Sequence, residues 1–320
     1  LHNAVLFNKG IKKQPFSYYG GKQRMVSKIL PYIPKHTVYI EPFCGGASVF
    51  WHKAWPSVNN TDYYREVLND FDGRLVNFFR VLQDKDGFEK LQHKLQFTPY
   101  SEEEYRTAKN ILKNLTDFDD ITRAWAWFVQ ANMSFSGKIF AGWGRVVFKH
   151  NTSATWANKL DLQAFFNRLV STSIANVDAI TCLRQFNCPQ AFAYIDPPYM
   201  GTDCKAYVGD FTVEKYKEFL EFLDKEFVGS FILSGYNNDF VGAYGWERVE
   251  FTSINSAKGT TRRKRDTSNK NVRENTARTE VLWMRGNTKP VREELQKLYD
   301  SGKFDCFTGN LKEAPITFTL

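Results

Sequence analysis

Ala191-Phe192-Ala193-Tyr194-Ile195-Asp196-Pro197-Pro198-Tyr199 is the stretch from which the fold of this chain can be read. Its first half is apolar without alternation, the habit of a strand covered by helices on both faces of a parallel sheet. Asp196 then stands at the carboxyl end of that strand, where open α/β sheets place their ligands. Pro197 and Pro198 stiffen the backbone, continue neither strand nor helix interior, and leave their carbonyls without ladder partners. The product is a rigid ledge with a carboxylate, a free carbonyl and the face of Tyr199. Such a ledge suits a planar exocyclic amine: Asp196 and the Pro197 carbonyl each accept an N–H while the Tyr199 ring stacks on the heterocycle. Asp-Pro is also a common turn opening, so the tetrapeptide alone leaves a plain proline turn open.

Working outward, the early chain alternates helix and strand. Apolar residues at Met25, Val26, Ile29, Leu30 and Ile33 predict a helix over Lys22–Ile33, closed around Pro31 and Pro34. Thr37–Ile40 reads as a buried strand leading into the turn Glu41-Pro42-Phe43-Cys44-Gly45-Gly46, with a helix from about Ala47. Val67-Leu68 runs into Asn69-Asp70-Phe71-Asp72, and a helix follows through Leu75, Phe78, Phe79 and Leu82. Strand, acidic end, helix is the rhythm of a nucleotide-type α/β half.

Between about Asp84 and Asn158 the rhythm breaks. Polar helical stretches over Ser101–Leu115 and Ile121–Gln130 lead into Asn132–Lys149, which is rich in Gly, aromatic and basic residues and reads as a hairpin or loop. Trp125, Trp127 and Phe128 read as the core of this insert. The sheet pattern resumes after Leu160, with strands at Ile174–Val177, Ser230–Leu233, Arg248–Ile254 and Glu280–Met284, and a helix capped by Thr212. The expected organisation is a discontinuous α/β domain over 1–74 and 160–320, with an inserted, mainly helical domain over 75–159.

At 320 residues either unit can bury a core, and 42% apolar with 24% charged residues is ordinary for a globular protein. The net charge of +8 favours a polyanionic partner. Much of the excess lies between Lys258 and Arg278, where Lys258, Arg262, Arg263, Lys264, Arg265, Lys270, Arg273 and Arg278 face only Asp266 and Glu274. A solvated face is the plain reading of such a run; Gly, Ser, Thr and Asn mixed with Arg also suit phosphate contact by a loop that orders on DNA. Five scattered cysteines without a C-x-x-C pair fit reduced thiols in a cytoplasm, and neither they nor the five histidines have metal-ligand spacing. No apolar stretch reaches membrane-spanning length, and the opening residues do not make a signal peptide. A first residue other than Met suggests processing or a cloning boundary.

Tyr18-Tyr19-Gly20-Gly21-Lys22 opens the first predicted helix, where paired glycines allow close backbone approach and a helix amino end favours an anionic group. A plain turn is the commoner meaning of such a segment. The Glu41–Gly46 turn is the usual seat of a nucleotide-like cofactor, but it lacks the G-x-G-x-x-G of dinucleotide sites and the G-K-[ST] of phosphate loops. Asp70 falls where a carboxylate binds a ribose hydroxyl pair, and Phe71 where a ring covers an adenine. A helix-capping Asp beside a core Phe is the alternative.

Taken in order, YYGGK, EPFCGG, LNDFD and DPPY resemble the Dam-like (D12 class) N6-adenine DNA methyltransferases, over about residues 16–285. The resemblance implies a Rossmann-like sheet for S-adenosylmethionine and an inserted target-recognition domain. It implies that Tyr18 and Lys22, with Gly20 and Gly21, hold the methionine end of the cofactor, and that Glu41, Pro42, Phe43, Cys44 and Gly45 line it. Asp70 then binds the ribose, Phe71 packs on the adenine, and Asp178 reaches the adenine amino group. Two positions depart from the pattern: Ala47 stands where the family's G-x-G turn ends, and Ala179 where an aromatic usually follows Asp178.

The implied reaction is methyl transfer to the N6 of an adenine flipped out of duplex DNA, at Asp196, Pro197, Pro198 and Tyr199, with Asp196 also near the cofactor. No metal is required. The setting would be restriction-modification or DNA marking in the cytoplasm of a bacterium or phage-infected cell, by a monomer or weak dimer. Lys138, Trp143, Arg145 and Lys149 of the insert, with Lys258, Arg262, Arg263, Lys264 and Arg265, are the expected DNA contacts. Rival readings are methylation of RNA or of a protein amide on the same fold, and a non-catalytic DNA-binding relative.

Overall fold

The computed structural model describes residues 11, 13–53, 64–144, 152–199, 211–254, 277–286, 304–305 and 310–311. Seven strands form one sheet: β1 (Val38–Glu41), β2 (Arg65–Asn69), β3 (Ser173–Ala175), β4 (Ala191–Ile195), β5 (Ser230–Tyr236), β6 (Glu247–Ile254) and β7 (Ala277–Arg285). Their order is β3-β2-β1-β4-β5-β7-β6. The first five strands pair in parallel, and β7 runs antiparallel between β5 and β6. From β1 the chain moves outward through β2 and β3, then returns to place β4 on the other side of β1. Strand order therefore reverses between β1 and β4, and at such a point the loops leaving the two strands diverge and open a crevice.

The helices are α1 (Val26–Ile29), α2 (Ser48–His52), α3 (Gly73–Gln83), α4 (Lys85–Gln96), α5 (Glu102–Ile111), α6 (Asp120–Met133), α7 (Thr152–Ala157), α8 (Gln163–Leu169), α9 (Ala179–Gln185), α10 (Val213–Lys225) and α11 (Asp239–Gly242). Side chains cap the longer ones at their amino ends, Thr212 as expected: Asp72 accepts from Arg74 N, Ser101 from Glu104 N, Asp119 from Thr122 N and Thr212 from Lys215 N.

β4 shows why its sequence reads as it does. All of it is buried, and its residues alternate between two cores. Phe192 and Tyr194 join the cluster beneath α1–α8, with Phe50, Trp51, Phe78 and Phe128; Ala191, Ala193 and Ile195 join the cluster under α9 and α10, with Phe219 and Leu220. The helices between β2 and β3 share the first of these cores: Trp127 and Phe128 of α6 are buried against the same cluster as Leu68 of β2. Trp125, Trp127 and Phe128, expected as the insert's own core, are buried in a core shared with strands of the sheet.

The helix expected first differs from its reading, α4 was not read, and the described part of the expected hairpin or loop is a looped turn. The helix expected over 22–33 amounts to α1 and one 3-10 turn, Leu30–Tyr32, because Pro31 removes the donor that a longer α-helix would need. So short a helix has little dipole to offer an anion. Within the stretch expected as a hairpin or loop, the described residues hold a 3-10 turn at Phe135–Gly137 and a single bridge between Ser134 and Trp143. α4 went unread because only Asp84 separates it from α3; that residue ends one helix and caps the next, accepting from Gly87 N at 2.7 Å.

Candidate active site

The turn leaving β1 is built on a buried acid. Glu41 accepts from Tyr39 OH at 2.6 Å and from Phe50 N at 2.8 Å, both on Oε1. Burial pushes its carboxyl up to about 8. Through Oε1, Glu41 thus ties β1 to α2. Beyond it, Cys44 N donates to Asn69 O at 2.8 Å, which lays the turn against the end of β2. Gly45 takes φ +47°, and a Cβ there would lie 2.7 Å from the Tyr18 ring. Ala47, at the position where the family motif has its second glycine, holds the left-handed conformation anyway (φ 51°, ψ 41°). That conformation costs an L-residue about 1–2 kcal/mol, which the surrounding packing has to offset.

Asp70 stands at the end of β2 facing this turn. Its Oδ2 accepts from Gly45 N at 2.8 Å and its Oδ1 from Asp72 N at 2.9 Å. Burial outweighs these donors and pushes its carboxyl up to about 6. Asp70 is not a helix cap; Asp72 caps α3. Phe71 is not core, since 57% of it is exposed. Both plain alternatives open at the level of sequence are therefore removed. A carboxyl at a strand end, a left-handed glycine and an uncovered ring converge on one rim, and they fit a nucleoside with a ribose to grip and a base to cover.

Asn69 was not singled out from sequence and binds this rim together. Its Nδ2 donates to Pro42 O and Val177 O at 2.9 and 3.0 Å, and its Oδ1 accepts from Val177 N at 3.0 Å. Asn176 donates to Asp70 O at 2.7 Å. Asp178 is thereby brought to the same edge, where it caps α9 by accepting from Ile180 N and Thr181 N. A cap is its visible role.

Across the crevice, Asp196 leaves β4. Lys22 Nζ lies 2.9 Å from Asp196 Oδ1 and 4.4 Å from the centroid of the Tyr199 ring. Ser234 Oγ donates to the same Oδ1 at 2.9 Å. Tyr199 OH donates to Glu280 Oε2 at 3.0 Å, and its ring stands edge-on to Tyr236 with centroids 4.6 Å apart. Lys22, expected at the methionine end of the cofactor, here reaches the carboxylate of the ledge. Pro197 is buried and Pro198 half-buried, as a stiff backing requires. Phe43 packs edge-on to Phe211 and Phe219 at 5.5 and 5.3 Å.

The DNA contacts expected in the insert divide. Lys138 lies over the Tyr19 ring at 5.4 Å, beside the 18–22 segment. Trp143 packs against Tyr100 with centroids 5.8 Å apart, as part of the insert's packing. Arg145, Lys149, Lys258, Arg262, Arg263, Lys264 and Arg265 lie outside the described residues. Phe135, 64% exposed in the turn next to Lys138, was missed; a lone Phe carries no sequence signal for exposure. Ser234, Tyr236 and Glu280 were missed because they reach the ledge from other strands. Among the described residues no three His, Cys, Asp or Glu side chains are grouped to hold a metal ion. No helix there is long and apolar enough to cross a membrane.

Comparison with known proteins bears on the same residues. Residues 18–258 match the family model described as D12 class N6 adenine-specific DNA methyltransferase. A DNA N-6-adenine-methyltransferase of Escherichia phage P1 is 32% identical over 123 residues, 38% of this chain and 15% of the phage protein. The DNA adenine methylase of Vibrio cholerae serotype O1, in each of two strains, is 29% identical over 119 residues, 37% of this chain and 40% of that protein. The chain thus spans less than half the length of the curated relatives it matches.

Proposed function

Because the chain belongs to the D12 class of N6-adenine-specific DNA methyltransferases, we propose that it methylates the exocyclic N6 of adenine within a specific sequence of duplex DNA. Its family uses S-adenosylmethionine. The observation that carries the reading is the pairing of two half-sites across the reversal in strand order. The rim formed by Gly45, Asp70 and Phe71 lies beyond β1 and β2, and the ledge formed by Asp196 and Tyr199 lies beyond β4.

The residues divide the work. Asp70 accepts from the ribose hydroxyls, Phe71 covers the adenine of the cofactor, and the turn around Gly45 admits its methionine end, flanked by Tyr18. When bound, the cofactor supplies a methyl group already activated on a sulfonium. Across the crevice, the Asp196 carboxylate and the Pro197 carbonyl accept the two N–H bonds of the target amine. This draws the nitrogen lone pair out of conjugation and aims it at the methyl carbon. Alignment alone can contribute about 7–11 kcal/mol in favourable cases. As the nitrogen–methyl bond forms and the methyl–sulfur bond breaks, Asp196 would also stabilise the positive charge on the nitrogen, which the loss of one N6 proton then discharges. A paired adenine cannot enter the ledge, so the base leaves the stack at a cost of a few kcal/mol, offset by stacking on Tyr199. Lys22 and the target amine share the Asp196 carboxylate, Lys22 on Oδ1 and the amine on Oδ2.

In this reading residues 1–74 and 160–320 make the catalytic unit and 75–159 the target-recognition unit. Lys138 of the insert and the basic run from Lys258 supply phosphate contacts. The setting is restriction-modification or phage and bacterial DNA marking in a bacterial cytoplasm, by a monomer or weak dimer. The test is transfer of labelled methyl groups to unmethylated duplex DNA, with RNA in parallel, followed by identification of the modified nucleoside. We expect N6-methyladenine in DNA. Asp196→Ala should abolish transfer while S-adenosylmethionine still binds; near-normal turnover in that variant would rule the assignment out.

A further inference from the structure

We propose that Ser234 and Glu280, which lie outside the Asp-Pro-Pro-Tyr ledge, are positioning residues that aim its two functional side chains; this rests on the methyltransferase reading above. β4 and β5 pair in parallel with Ile195 opposite Leu233, which brings Ser234 abreast of Asp196. Ser234 is 1% exposed, and its hydroxyl donates to Asp196 Oδ1 at 2.9 Å. Having committed its only proton there, it must accept from Tyr194 OH, 3.2 Å away. Lys22 Nζ meets the same Oδ1 at 2.9 Å. Among the described residues both donors thus fall on one oxygen. Two donors from different directions stop the carboxylate from rotating, and Oδ2 is the oxygen turned over to the target amine.

The second brace works on the ring. Tyr236 of β5 pairs with Glu280 of β7, so the ring that meets Tyr199 edge-on and the carboxylate that accepts its phenol come from one rung of the sheet. One contact sets the tilt of the Tyr199 ring and the other its reach. Neither Ser234 nor Glu280 touches the reacting atoms. Their effect should appear in the rate of the chemical step and not in the affinity for cofactor.

The experiment is single-turnover methylation of plasmid DNA from a methylation-deficient host, at saturating S-adenosylmethionine, with cofactor dissociation constants and melting temperatures measured alongside. Ser234→Ala should slow the step about tenfold, the factor that 1.4 kcal/mol represents, with cofactor affinity unchanged. Tyr194→Phe, which frees the serine hydroxyl to turn away, should slow it less, and serves if Ser234→Ala does not fold. Glu280→Ala and Tyr199→Phe should cost equal amounts, their combination no more than either alone, and Glu280→Gln should recover most of the loss. Wild-type rates in Ser234→Ala and Glu280→Ala, losses confined to cofactor affinity, or additive effects of Glu280→Ala and Tyr199→Phe would overturn the proposal. A wild-type chain that methylates no DNA would instead defeat the functional reading beneath it.

Discussion

Asp70 carries a titration that its proposed task should expose. Burial holds its carboxyl up to about 6 in the folded protein, above the ordinary 3.8. A raised acid contributes stability that is full below pH 3.8 and lost as pH rises through about 6, because ionisation is then forced in a poorly solvated place. Ribose hydroxyls are donors and favour the ionised form. Affinity for S-adenosylmethionine should therefore rise from pH 5 to pH 7, by at most about tenfold per unit below the midpoint; calorimetric titration across that range reads it, and a flat profile would remove Asp70 from the ribose. Gly45 makes a second prediction. Alanine there must hold φ +47° with its Cβ 2.7 Å from the Tyr18 ring. Gly45→Ala should cost about 1–2 kcal/mol in backbone strain alone, seen as a lower melting temperature with weakened cofactor binding.

Single elements owe their places to which face of the sheet each residue meets. β4 sends Phe192 and Tyr194 one way and Ala191, Ala193 and Ile195 the other, so that aromatic rings lie under the many helices of one side and aliphatic side chains under α9 and α10. Phe192 is fully buried, and its ring lies 5.9 Å from that of Tyr39 in the neighbouring strand. Phe192→Ala should destabilise the fold by about 3–5 kcal/mol, measurable by urea denaturation. Ala193→Gly, which removes one methyl from the other face, should cost far less. The ledge follows directly from β4, so loosening the strand should also blunt methyl transfer at temperatures where the protein is still folded.

The whole molecule is held at both ends of its sheet. Away from the crevice, near the starts of β1 and β2, Glu66 is fully enclosed by Lys53 at 2.7 Å and by Arg168 of α8, whose guanidinium also lies 3.9 Å from the Phe50 ring centroid. Burial by itself would raise the Glu66 carboxyl, but the two cations outweigh it and bring it down to about 2. Its contribution to stability is thus present above pH 4.5 and lost as pH falls toward 2. Glu41, raised to about 8, has the opposite sign and loses its contribution as pH climbs through 8. Stability should therefore peak near pH 4.5, falling below it as Glu66 protonates and above it, up to about pH 8, as the raised carboxyls of Asp70 and Glu41 are forced to ionise. Arg168→Ala leaves a buried charge short of a partner and should cost about 3–5 kcal/mol, with part of its acid-side pH dependence removed and the part due to Lys53 kept; urea titrations at pH 3 to 9 test both statements.

Much of the architecture was legible because it is written in local patterns. The unbroken apolar run before Asp196, the paired prolines, the glycine turn after β1 and the acidic end of β2 each carry their own steric or solvation constraint, whatever lies around them. Those constraints suffice for a parallel sheet and for the two sides of the site. The sequence could not say that Lys22 would reach Asp196, or that Ser234 and Glu280 would brace the ledge from β5 and β7. Such contacts join residues far apart along the chain and depend on strand order and register, which local propensity does not encode. A serine or glutamate in a strand looks alike wherever it points, and only the packed sheet decides which of them faces a carboxylate.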